Sequence, residues 1–297
     1  MANPRLDYTL RSRGIGLTAP DNKPIIVHLV LNIEYWPFDE PMPRTIITPP
    51  HGKRFSPDVP NFSWVDYGMR CGFPRLLKAL TDRQLPVSTS FNASVIEAYP
   101  EAAEAMRDAN WEFIGHGLVQ RMLHHEENEE KTIKIALEKI ERFTGRKVRG
   151  WLSPGLQETV NTPDILAKLG VDYVCDWVID DLPNWLKVRS GSLLQMPYNL
   201  ELNDSVIYAV ENHSSDEFLK RLKSTLKVFE HEANTEPRIL ALGLHPHLIG
   251  VPHRFAYFEQ MLDLLCAHPK VCFMTGGAIT DWYRDQIAPP EADTAAR

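Results

Sequence analysis

The sequence predicts an α/β chain folded as a barrel, on three observations. Short apolar, β-branched runs recur from Ile25 onward, stretches with apolar residues at helical spacing separate them, and most runs stop at a polar side chain capable of chemistry. The runs cover residues 25–33, 86–91, 111–115, 148–152, 172–175, 193–197, 239–244 and 271–275. Their alternation with helical stretches is the pattern of a parallel sheet, and about eight strands is a barrel count.

Each intervening helix has its own signature. Ile133, Leu137 and Ile140 mark one apolar face, with Gly145 as the C-terminal stop. Phe218, Leu219, Leu222 and Leu226 mark a second, with Ser214 or Ser215 expected as N-cap, and Phe255, Phe258, Met261 and Leu265 mark a third. The expected organisation is an N-terminal arm over residues 1–23, a single barrel domain over 24–285 and a flexible tail over 286–297. Residues 37–61 carry seven prolines and few apolar anchors, which predicts a long, stiffened loop after the first strand, either a lid over the rim or a subunit contact.

With 297 residues and 43% hydrophobic content, the chain can bury a large core. The formal charge of -7 and the absence of any Lys/Arg run argue against nucleic acid or an anionic membrane as partner, leaving a small-molecule substrate. The segment Met1-Ala2-Asn3-Pro4-Arg5 lacks the basic-then-apolar order of a secretory signal, and no apolar run approaches a membrane span, so the expected location is the cytoplasm. Cys71, Cys175, Cys266 and Cys272 show neither CxxC spacing nor disulfide density and read as buried, reduced thiols.

The chemistry is expected where strands end. Glu34 follows the first run and should point toward the barrel mouth, where a partly solvated carboxylate can act as general base on water. His116 sits between Gly115 and Gly117; His245 and His247 flank Pro246, which fixes the backbone between two imidazoles. Asp176, beside Trp177, is expected to orient an imidazole, whereas Asp180 and Asp181 read as loop charges.

Taken in order, Asn32-Ile33-Glu34, Gly115-His116-Gly117, Arg149 to Gly155, Asp176-Trp177 and Leu242-Gly243-Leu244-His245-Pro246 resemble the motifs of the polysaccharide deacetylase superfamily, and within it the allantoinase or cyclic imide hydrolase branch. The resemblance spans roughly residues 24–283 and implies a distorted seven-stranded (β/α) TIM-like barrel that hydrolyses amides. In deacetylases of that family a catalytic acid is followed by a metal-binding acid, and two histidines stand four residues apart. Here Glu34 matches the base, but Tyr35 and Gln120 occupy two of the three metal-ligand positions, and neither replaces a carboxylate or imidazole around Zn²⁺. The resemblance therefore implies catalysis without a tightly held cofactor, unless His124 or His125 rescues a weak divalent site for a metal such as Zn.

The expected activity is hydrolysis of the C–N bond of a small cyclic imide or ureide, with Glu34 as base, His245 as acid, Asp176 as orienter and a protonated His116 supplying positive charge. Backbone N–H groups around Ser153 to Gly155 would add oxyanion donors, and Trp36, Trp151, Ser153, Trp177 and His247 would line the substrate slot. The alternatives are a metal-dependent carbohydrate N-deacetylase and a ligand-binding barrel without chemistry. The resemblance also implies a homo-oligomer, specifically a homotetramer.

Overall fold

The computed structural model describes residues 3–11, 14–42, 44–48 and 52–290. Its first strand, β1 (Ile25–Ile33), is buried along all nine residues and sets the architecture. A strand turns successive side chains to opposite faces. Ile25, Val27, Leu29, Leu31 and Ile33 join the large cluster containing the apolar helix faces, whereas Ile26 and Val30 join a second cluster with Ile114, Leu152, Tyr173, Leu194 and Ile239. The first cluster lies between sheet and helices; the second fills the barrel interior.

The other strands are β2 (Ser88–Phe91), β3 (Glu112–Gly115), β4 (Gly150–Trp151), β5 (Tyr173–Val174), β6 (Asn184–Leu186), β7 (Leu193–Gln195), β8 (Arg238–Leu244) and β9 (Val271–Phe273). All eight expected runs contain a strand, several of them trimmed. The order β7-β5-β4-β3-β2-β1-β8 is parallel throughout and gives the seven-stranded curl, with β6 antiparallel at one edge and β9 alongside the start of β1. Between the β7 and β8 sides, one parallel bridge, Asn203 with Gly243, spans the gap, so the barrel is distorted rather than evenly closed. The β6 strand has too few residues to show a period in sequence.

The helices are α1 (Val59–Tyr67), α2 (Phe73–Asp82), α3 (Val95–Ala98), α4 (Pro100–Asp108), α5 (Glu129–Thr144), α6 (Thr162–Lys168), α7 (Glu217–Glu232), α8 (Pro252–Ala267) and α9 (Gly276–Arg284). In α5 the stop is as expected: Gly145 takes φ 68°, a left-handed conformation that glycine adopts without a Cβ clash. The N-cap position of α7 is Asp216 rather than Ser214 or Ser215; Ser214 instead donates to the Asp216 carboxylate at 2.6 Å. The Pro-rich loop is shorter than expected, because Asp58 accepts a bond from the Asn61 N–H and starts α1 at Val59. Pro43 and residues 49–51 of that loop lie outside the described residues.

The arm is strapped to the barrel. Arg5 makes a two-pronged contact with Asp164 at 2.8 and 3.1 Å, and buried Glu236 accepts the N–H groups of Ile15 and Leu17. Residues 286 and 287, assigned in sequence to a flexible tail, are still packed: Gln286 accepts the Thr18 N–H, and Trp185 donates to the Ile287 carbonyl. Residues 291–297 lie outside the described part. The four cysteines are free, but only Cys175 is buried; Cys71 and Cys272 are half-buried and Cys266 is exposed, so the uniformly buried reading was too broad. Among the described residues no helix is long and apolar enough to cross a membrane.

Candidate active site

The pleat of β1 that sends Ile26, Val30 and Asn32 inward also sends Glu34 inward, at the C-terminal mouth of the barrel. Tyr35 takes the opposite sense and packs against the outer cluster, its ring 6.4 Å from that of Tyr99. Ile114 and Ile239 are inward, which carries His116 and His245 to the same mouth by the same alternation. Three separate strand ends thus converge on one carboxylate.

Glu34 is 8% exposed, and both of its oxygens face nitrogen. Oε1 accepts from Gln120 Nε2 at 3.0 Å and lies 3.6 Å from His245 Nε2 and 3.8 Å from His116 Nε2; Oε2 accepts from Trp36 Nε1 at 3.2 Å. The imidazole separations are ion-pair lengths rather than hydrogen bonds. Burial works to raise the Glu34 pKa, but His116 and His245 together hold it well below the usual carboxylate range.

His245 is held from behind. Its Nδ1 faces Asp204 Oδ1 at 2.6 Å, and Oδ2 of the same buried carboxylate accepts the backbone N–H groups of His245 and Ile249 at 2.6 and 3.2 Å. Burial alone would lower the His245 pKa; the charge and hydrogen bond of Asp204, then the carboxylate of Glu34, instead push it up to about 9. At neutral pH His245 is therefore an imidazolium with Nδ1–H on Asp204 and Nε2–H toward Glu34. His116 commits Nδ1 to the Leu152 carbonyl, which can only accept, so that nitrogen carries a proton, and Nε2 has no hydrogen-bond partner among the described residues.

The local backbone supports this mouth. Asn92 bridges two strand ends, accepting the Tyr35 N–H at 2.9 Å and donating to the His116 carbonyl. A π-helical turn over Gly68–Gly72 lies against the His245-Pro246-His247 loop. A Cβ on Gly68 would stand 2.4 Å from the His247 nitrogen, and one on Gly72 would stand 2.1 Å from the Pro246 oxygen, so only glycine permits the approach.

Glu34, His116, His245 and Trp36 come together as the sequence reading had them; other assignments are corrected. Asp176 hydrogen-bonds neither histidine: it accepts the Ser153 N–H at 2.7 Å and stands beside Glu158, whose carboxyl burial and then the Asp176 charge push up to about 9. The orienting acid is Asp204, which sits in Leu202-Asn203-Asp204-Ser205 with no strand-like run before it to mark it. Asp176 also removes the Ser153 N–H as an oxyanion donor, while Ser153 Oγ accepts from Trp151 Nε1 at 3.0 Å. Trp151 is fully buried in the outer cluster and cannot line a slot; Leu152 is the residue that points inward. Trp177 packs on that same outer side. His247 is buried edge-on to Trp64 at 4.7 Å, and burial, then the charge of His245, lowers its pKa to about 3, so it is neutral.

A divalent metal does not fit these residues. Both Glu34 oxygens already accept N–H donors, the Gln120 amide turns its NH₂ toward the carboxylate, and Tyr35 points away. His124 and His125 are exposed, and although His125 lines the cavity beside Trp36 and Gln120, neither forms an ion pair with Glu34. Among the described residues no group of three or more His, Cys, Asp or Glu is arranged to hold a metal ion. Trp36 and Gln120 also line a cavity of about 550 Å³ shared with residues of the Pro-rich loop; Glu34, His116 and His245 lie behind these two side chains rather than in its lining. A larger cavity, about 850 Å³, opens beside Trp111, Glu112 and Gly277 at the strand starts, far from this cluster.

Comparison with known proteins agrees with this fold. Residues 62–174 match the family model described as Polysaccharide deacetylase. A Schizosaccharomyces pombe protein named as a polysaccharide deacetylase is 27% identical over 250 residues, covering 76% of this chain and 74% of the relative. A crystal structure of a Pseudomonas aeruginosa PAO1 protein, also named as a polysaccharide deacetylase, is 25% identical with a TM-score of 0.82, covering 94% of this chain and 98% of that one. The PuuE allantoinase structure has the same TM-score and coverage at 24% identity, a likeness that establishes the fold.

Proposed function

We propose that this hydrolase of the polysaccharide deacetylase type opens a small cyclic imide or ureide by adding water across its C–N bond. The observation that carries the reading is the clasp on Glu34: nitrogen donors and imidazoles surround a carboxylate that a metal-dependent site would leave beside its metal. Such a site must activate water, stabilise an oxyanion and protonate the leaving nitrogen with side chains alone.

Glu34, ionised throughout the neutral range, takes a proton from water as its oxygen attacks the ring carbonyl. His116, when protonated on Nε2, donates to the developing oxyanion. His245 gives its Nε2 proton to the ring nitrogen as the C–N bond breaks, and Asp204 keeps the imidazolium oriented while the charge shifts. The products, a carboxylate and an amide or ureido nitrogen, remain on one molecule. A ring-strained imide or ureide is a better electrophile than an acetamide, which suits a site relying on side chains. The cavity of about 550 Å³ suits a small ring. The PuuE neighbour, named an allantoinase, points to the same substrate class.

Substrate profiling tests the reading: cyclic imides and ureides should open with and without chelator, and Glu34→Gln should abolish it. The relatives named as polysaccharide deacetylases favour a second reading, carbohydrate N-deacetylation. Acetate release from N-acetyl sugars, lost with stoichiometric Zn²⁺ on chelation, would select it and exclude the first.

A further inference from the structure

The Pro-rich loop brings guanidinium groups into the cavity lined by Trp36 and Gln120, the two residues that donate to Glu34. Arg44, half-buried, donates from Nη1 to the Ser205 hydroxyl, and Ser205 follows the Asp204 that holds His245. The positive charge of Arg44 is felt at His247. Among the described residues Arg44 forms no ion pair with a carboxylate, although a guanidinium drawn out of water is stabilised by a counter-charge. Arg54, which is exposed, lines the same cavity and has no acidic partner among the described residues. Arg121 lines it too, but its charge is taken up by Glu40 and by Glu126 at 3.7 Å.

Two uncommitted positive charges therefore face a cavity whose other wall, Trp36 and Gln120, bonds directly to Glu34. That local sign is opposite to the chain's net charge of -7. We propose that the ring opened at Glu34 carries a carboxylate, which seats on Arg44 with Arg54 beside it and fixes which ring carbonyl meets the water. This rests on the reading of the site as a cyclic amide hydrolase. A carboxylate is the anion that a planar guanidinium fork matches with two parallel N–H bonds.

Hydantoin-5-acetate and hydantoin-5-acetamide are of nearly the same size and differ in a carboxylate against a neutral carboxamide. The wild-type protein should open the acid with a kcat/KM about tenfold or more above the amide, the scale of a charge-assisted pair. The preference should shrink as ionic strength rises, and Arg44→Met should bring the ratio toward one. Equal rates on the two rings at low salt would overturn the proposal and leave the hydrolase reading standing. If neither ring opens, the hydrolase reading is decided on the other cyclic imides and ureides, and the seat is still tested by calorimetric titration of the wild-type protein with hydantoin-5-acetate, whose one carboxylate is the group in question. Binding that weakens about tenfold in Arg44→Met supports the seat, and no binding, or binding indifferent to Arg44, overturns it.

Discussion

The barrel holds two clusters of histidine and glutamate, one at each end, and they behave in opposite ways. At the floor, His28 Nε2 contacts Ser88 Oγ at 3.0 Å, Ser88 donates to Glu112 Oε2 at 2.7 Å, and Glu112 Oε1 accepts the Gly277 N–H at the start of α9. At the mouth, Glu34 meets two imidazoles without an intermediary, and Asp204 grips one of them. Burial lowers the His28 pKa to about 3, whereas two carboxylates push that of His245 up to about 9. The inventory is similar and the charge states are reversed. A serine between histidine and acid, with a helix N-terminus on the acid, yields a neutral structural group; direct contact yields an ion pair ready for proton transfer.

The comparison breaks most visibly at Glu34. Glu34→Gln keeps the fold and removes the base, so kcat/KM for ring opening should fall on the order of 10³-fold while the thermal midpoint stays near wild type. Retained activity on every cleaved ring would remove Glu34 from the chemistry. Asp204→Asn leaves a hydrogen-bond partner but not the charge, and kcat/KM should drop on the order of 10²-fold or more, as expected for losing the group that orients a catalytic imidazole.

Smaller effects separate structure from chemistry. Trp151→Phe deletes the bond to Ser153 and part of a fully buried ring, so stability should fall by roughly 1–3 kcal/mol with KM unchanged, measured by denaturant unfolding beside kinetics. His28→Gln, at the floor, should alter the unfolding midpoint while kcat/KM stays within about twofold, in the range of a change that touches no reacting group. A large rate loss from His28→Gln would mean the two ends are not the separate systems described.

Much of this contrast is written in the chain. The alternation Ile26, His28, Val30, Asn32, Glu34 identifies the inward face of β1, and strand-end positions pick out His116 and His245. The same alternation would have turned Tyr35 and Trp151 outward, since Leu152 lies inward; Trp151 was misassigned because its place at a strand end outweighed its parity. Asp204 and Asn92 were not legible. Each acts through bonds to residues distant in sequence, His245 across 41 positions and His116 across 24; Asp204 follows no strand, and Asn92, although it directly follows β2 as His116 follows β3, has its partners at the ends of other strands. Asp176 looked like the orienting acid because it follows a strand, but β5 ends at Val174 and the next residues turn toward Ser153.

The pairing of Asp204, His245 and Glu34 also sets a pH dependence whose sign is fixed. A histidine raised from 6.5 to about 9 adds stability that is complete below 6.5 and is lost as pH rises through about 9, and the same deprotonation removes the acid that serves the leaving nitrogen. The most direct test is the pH profile of kcat/KM for ring opening in the wild-type protein and in Asp204→Asn. The account predicts a falling limb near pH 9 in the wild type that moves to lower pH in the variant. A limb at the same pH in both proteins would contradict it.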